Sequence, residues 1–160
     1  MEEKHYDTKA VKELLASYRE CEKEIEHKTE LLERLQVKLE GVGAQEITDM
    51  PRSPSPPNDR ISDLVAQKIE VEAMIAEDVA EFREKREYIR KLLRKLKSAD
   101  ERAAIRFRYM VGMEWYDVCD AMFGAKEDYL GKEDAYLRRT FSIHGRALYH
   151  IAAYIEEHKG

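Results

Sequence analysis

Residues 11 to 42 read VKELLASYRECEKEIEHKTELLERLQVKLEGV. Apolar side chains fall at Val11, Leu14, Tyr18, Cys21, Ile25, Leu32, Leu35, Leu39 and Val42, in alternating steps of three and four with one vacancy at Lys28. A helix that turns once every 3.6 residues gathers such positions into one stripe, and a repeat kept over four heptads is that of a seam against a partner helix. Asp7 is placed to cap the start, and Gly41 with Gly43 is expected to end the run.

The rest of the chain extends the same reading. A second stripe, Ile61, Leu64, Val71, Ile75, Phe82, Ile89, Leu93 and Leu96, predicts a helix from about Ile61 to Lys97. Between the two, MPRSPSPPNDR crowds four prolines and two serines into a segment that suits neither a helix interior nor a central strand. It is expected as a loop over residues 43–60, either a plain connector or a recognition or modification segment. Two stripes joined by such a loop can bury each other as an antiparallel hairpin. An intermolecular coiled coil is the competing arrangement, and the Lys at seam positions 28 and 68 leaves the choice open.

After the hairpin, Ser98-Ala99-Asp100-Glu101 has the form of a capping box, the Ser accepting from the Glu101 N–H while the Glu reaches back. A helix over ERAAIRFRYMV then stops at Gly112. A short helix carries Trp115, Val118, Cys119 and Met122, and a last helix from about Asp134 to His158 aligns Leu137, Phe141, His144, Leu148, Ile151 and Ile155. With 38% charged residues, 7 Gly and 4 Pro, the composition also argues for helices over sheets. The expected fold is all-α, with a long coiled-coil-like helical hairpin over 1–97 and a small helix-turn-helix domain over 98–160.

The net charge of −5 is unevenly spread. Residues 1–82 hold 11 Lys+Arg and 20 Asp+Glu, whereas residues 83–160 hold 17 and 13, and residues 83–110 alone hold 11 and 4. An acidic total therefore does not exclude nucleic acid as a partner. No segment approaches the roughly 20 apolar residues that span a bilayer, and the start MEEKHYDTKA is no signal peptide, so no membrane partner and a cytoplasmic location are expected. Cys21 and Cys119 lack neighbours at metal-ligand spacing, and no glycine-rich phosphate loop, HExxH or nucleophile motif is present. No enzymatic activity, no cofactor and no metal are expected.

The segment RYMVGMEWYDVCDAMFG, residues 108–124, joins a helix ending at Gly to one carrying a Trp, as the first two helices of a helix-turn-helix do. Arg108, Tyr109, Gly112, Trp115, Val118 and Met122, followed by Arg146-Ala147-Leu148, resemble the C-terminal part of RinA/ArpU-like phage late-gene transcriptional regulators, a part similar to region four of bacterial sigma factors. The resemblance covers about residues 92–152. It implies sequence-specific binding of double-stranded DNA by a phage or prophage regulator in a bacterial host, with RNA polymerase as a further partner.

The residues alone supply a matching surface. Arg139, Ser142, Arg146 and Tyr149, with Arg138 adjacent, lie on the side of the last helix away from its apolar stripe, and Gly145 among them lets backbone approach closely. Arg can bridge two acceptors on guanine, while Ser and Tyr reach phosphates. Lys126 and Lys132 in the link before that helix complete the expected DNA-facing set. A solvated charged face is the alternative for this surface. The run RKLLRKLK, residues 90–97, either lies along phosphates or complements a helix C-terminal dipole. Trp115 and His144 read as core residues of the small domain. Two other functions stay open: a coiled-coil adaptor or inhibitor that docks protein without binding DNA, and a small terminase-like DNA-packaging subunit. A homodimer through the N-terminal helices is expected from the seam.

Overall fold

A computed structural model of the chain describes residues 4–45 and 57–159. Among these every element is helical: α1 Thr8–Gln45, α2 Pro57–Arg94, α3 Ala99–Ile105 with a π-helical continuation Arg106–Val111, α4 Trp115–Phe123 and α5 Glu133–Glu157. The all-α expectation holds, with two long helices followed by short ones and a final helix of 25 residues.

Helix ends depart from the sequence reading where local penalties are small. α1 runs through Gly41 and Gly43 to Gln45, because helical Gly costs only about 1 kcal/mol relative to Ala and Val42, 8% exposed, gains more by burial. α2 begins at Pro57 rather than Ile61, since Pro at a first helical position gives up an N–H that has no intrahelical partner anyway. The segment expected as a loop over 43–60 is thus helical at both described ends, and its residues 46–56 lie outside the described part. Asp7 caps α1 as expected, its Oδ1 accepting from the Ala10 N–H at 3.0 Å.

The chain divides into two compact units, Cys21–Arg83 and the pair of stretches Met1–Glu20 with Glu84–Gly160. In the first, α1 and α2 pair as an antiparallel hairpin: Leu35, Val42, Leu64 and Val71 form the buried cluster, with Leu32, Leu39, Ile61 and Ile75 packed against it. The vacancy in the first seam is filled ionically. Lys28 donates to Asp78, and that bond, ahead of the unfavourable effect of burial, raises the Lys28 pKa. Lys68, the second seam lysine, pairs with Glu72 on its own helix at 3.8 Å.

The second unit has the larger core. Val11, Leu15 and Tyr18 of α1, Ile89, Leu92, Leu93 and Leu96 of α2, and Ile105, Val118, Phe123, Ile143, Ala147 and Ile151 of the later helices are all buried. Leu15 and Leu92 fall outside the two sequence seams, yet are 1% and 2% exposed. A two-helix seam needs a narrow stripe, whereas helices that also cover a globular core bury a wider one. Ser98 Oγ accepts from the Glu101 N–H at 3.3 Å, half of the expected capping box. The Glu101 carboxylate goes elsewhere, to His150 Nδ1 at 2.8 Å. No helix of the described residues is long and apolar enough to cross a membrane.

Candidate nucleic-acid interface

The turn that introduces α4 is fixed from several directions. Gly112 ends the π-helical segment at φ +85°, a left-handed conformation that costs a non-glycine residue about 1–2 kcal/mol. Its N–H and that of Met113 both donate to Phe107 O, the latter at 3.0 Å. A Cβ at Gly112 would lie 2.4 Å from the Arg19 guanidinium carbon, and Arg19 itself donates to Val111 O at 3.4 Å. Arg108 holds the other side. It donates to Met113 O at 2.9 Å, lies 3.7 Å from Glu114 and stacks its guanidinium 4.8 Å from the Trp115 ring centre.

Trp115 and His144 form the joint between α4 and α5. The Trp115 ring meets Phe141 edge-on at 5.0 Å and His144 at 4.6 Å, while the Tyr109 hydroxyl lies 2.7 Å from His144 Nε2. His144 is 8% exposed. Burial first, then the positive charges of Lys12 and Arg108, push its pKa down to about 4, so the ring is neutral at physiological pH. His144 is buried in the core, as the sequence suggested, whereas Trp115 is half-buried and packs at the core's edge. Arg108, Tyr109, Gly112, Trp115 and Val118, five of the residues singled out in the sequence, each have a packing or turn-forming task here.

α5 presents its polar side as two adjacent rows. One holds Arg138, Ser142, Gly145 and Tyr149, the other Arg139, Arg146 and His150, all exposed, while Thr140, Ile143, His144, Ala147 and Ile151 are buried behind them. The expected site residues differ in how free they are. Arg138, Ser142, Arg146 and Lys126 have no side-chain hydrogen bond or ion pair among the described residues. Arg139 lies over the Phe123 ring at 5.0 Å, which fixes its stem and leaves its N–H groups accessible. Tyr149 packs edge-on against Tyr6 at 5.1 Å. Lys132 is engaged by Asp128 at 3.4 Å, and Asp128 also accepts from the Tyr136 hydroxyl, which lowers the Asp128 pKa.

The link before α5 is braced as a chain of turns, with Lys126, Tyr129 and Lys132 donating backbone bonds to Phe123, Lys126 and Tyr129. It brings Asp128, which accepts from the Tyr136 hydroxyl, to the N-terminal end of α5, where Glu133 and Asp134 occupy the first turn. There they complement the helix dipole and, for the same reason, oppose an approaching phosphate. Contact with a nucleic acid would thus fall to the middle of α5, from Arg138 to Arg146, rather than its first turn.

Beside that middle section lies a groove of about 710 Å³ lined by Lys95, Lys97, Ser98, Arg139, Arg146 and His150. Asp100, Glu101 and Glu157 also border it, and Glu101 is occupied by His150. The groove joins two features that are 42 residues apart in sequence at their nearest cations, Lys97 and Arg139. Arg102 supports this side, donating to Leu96 O at 2.6 Å just past the end of α2, and Lys95 lies 5.8 Å from the centre of the Tyr154 ring. Arg90 of the same basic run is turned to Glu87 at 3.5 Å. His150 went unnoticed in the sequence, although it continues the Arg139–Arg146 row by one further step of four.

Among the described residues no group of His, Cys, Asp and Glu is arranged to hold a metal ion. Comparison with protein-family models, curated proteins and solved structures finds no match to this chain.

Proposed function

We propose that this chain is a sequence-specific DNA-binding regulator of phage or prophage type, akin to the RinA/ArpU-like regulators, and that it reads duplex DNA with the middle of α5. The observation that carries the reading is the convergence of Arg139 and Arg146 with Lys95 and Lys97 on one groove, next to the free Arg138 and Ser142. Four cations on one surface offer a track for a phosphate backbone, whose neutralisation releases counterions, while Arg138 and Ser142 are in reach of base edges. RNA polymerase remains a proposed second partner. Homodimerisation through the N-terminal helices would have to use their outer faces, because the seam positions from Lys28 to Val42 are already spent against α2.

Selection of bound sequences from a random duplex pool tests this reading. A recurring motif supports it; recovery of no enriched sequence at moderate salt contradicts it. The acidic end of α5 favours one alternative, a protein-docking adaptor that binds no DNA, and in that case the pool yields nothing. A terminase-like packaging subunit would also select DNA and is distinguished by where the selected site lies, at a packaging origin rather than upstream of genes.

A further inference from the structure

We propose that the outward face of α2 between Asp63 and Ala80 docks an amphipathic helix of a protein partner, one that carries Lys or Arg beside an apolar stripe. This surface lies wholly within the hairpin unit and is independent of the nucleic-acid reading.

α2 is apolar on two sides. Leu64, Val71 and Ile75 face α1, whereas Val65, Ile69, Ala73, Ala76 and Ala80 recur at steps of four and three on the side turned away from it. That second stripe is open to solvent, with Val65 40% and Ile69 61% exposed and the three alanines exposed as well. Anchors at such spacing are what a helix lays against another helix. The alanines leave room for larger apolar side chains opposite.

Charge decides the occupant. Asp63, Glu70 and Glu77 run along one border of the stripe at intervals of seven; none makes an ion-pair contact among the described residues, although Glu77 is near enough to Lys28 to help raise that lysine's pKa. Residues 21–83 as a whole hold 15 Asp+Glu against 8 Lys+Arg, a net of −7. A second copy docked antiparallel about a two-fold axis would set the Asp63–Glu70–Glu77 row against itself, with like charges opposed. A partner helix flanked by Lys or Arg satisfies the same row and covers the apolar stripe.

The probe is a fluorescent synthetic helix with a Leu/Ala stripe bordered by Lys, titrated into the full chain and followed by anisotropy, beside a scrambled peptide of the same composition. The stripe peptide should bind, more weakly at higher salt, and the scrambled one should not. Ile69→Ser should weaken binding by about tenfold, and the triple variant Asp63→Asn, Glu70→Gln, Glu77→Gln should weaken it and flatten its salt dependence. These side chains are exposed, so circular dichroism should be unchanged in both. Equal binding of the scrambled peptide, or wild-type affinity in both variants, overturns the proposal. So does sedimentation showing a dimer that Ile69→Ser abolishes, since the occupant would then be a second copy.

Discussion

His144 should make the stability of this protein fall between neutral and acid pH, by an amount set by its burial. In the unfolded chain its pKa is 6.5, and in the folded one about 4. The folded-state value is depressed, so the unfolded state binds the proton first. Stability is then complete above the unfolded value and is lost as pH drops toward the folded one. For one such site the loss from pH 7.5 is about 2 kcal/mol at pH 5 and about 3 kcal/mol at pH 4, somewhat less where the exposed edge of the ring is screened. For a chain of this length that is a drop of very roughly 4–12 °C in melting temperature. Carboxylates titrate over part of the same range, so the assay compares wild type with His144→Gln, which can still accept from Tyr109 but carries no titrating ring. Thermal melts at steps from pH 7.5 to 4 should show wild type losing more stability than the variant. Parallel profiles would mean that His144 is not held neutral by its surroundings, and the joint of Trp115, Tyr109 and His144 would need another explanation.

Other substitutions probe the turn, the joint and the interface. Gly112→Ala forces a left-handed φ and displaces the Arg19 guanidinium, and should cost about 1–2 kcal/mol in a chemical denaturation curve. Trp115→Ala strips the packing against Phe141, His144 and Arg108 and should destabilise by about 3 kcal/mol or slightly less, the ring being only half-buried, with loss of DNA binding following from loss of structure. Tyr109→Phe leaves the buried His144 Nε2 without its hydroxyl partner and should cost about 1–3 kcal/mol in the same denaturation assay. Arg138→Ala, on an exposed and unengaged side chain, should leave the melting temperature within the scatter of surface substitutions while lowering affinity for a selected duplex.

The sequence disclosed the elements whose rules are local. The heptad seams, the Asp7 cap, the stop at Gly112 and the buried His144 follow from spacing and from glycine's freedom at positive φ, and each is found where spacing places it. What it did not disclose depends on neighbours remote in sequence. Leu15 and Leu92 are buried because the ends of the long helices cover a globular core, and no stripe along one helix reveals how many neighbours it has. The π-helical segment from Arg106 to Val111 has no mark in composition. Its last carbonyl is met by Arg19, about 90 residues away, a bond invisible to local pattern. The Glu101 carboxylate, expected to complete a capping box, is claimed by His150. On the interface, Arg138, Ser142 and Arg146 stand free as their helical spacing implied, while Lys132 is taken up by Asp128, an i to i+4 pair whose formation depended on how the link folded. The joining of Lys95 and Lys97 to the Arg139–Arg146 row could not be read from the chain, since it depends on the turn at Ser98 folding α2 back toward α5.

The most direct test of duplex reading by α5 is a titration of a selected duplex at low and moderate salt. It compares wild type, Arg139→Ala with Arg146→Ala, and Lys95→Ala with Lys97→Ala, each variant first shown by thermal melting to be folded. Wild type should bind the selected duplex more tightly than a random one, with a linear fall in log affinity against log salt. Each double variant should bind more weakly, and its salt slope should be shallower by about one for every phosphate it no longer neutralises. If all three proteins bind alike at both salt levels, or wild type does not distinguish the selected duplex from random sequence, the groove and the middle of α5 are not a DNA-reading surface.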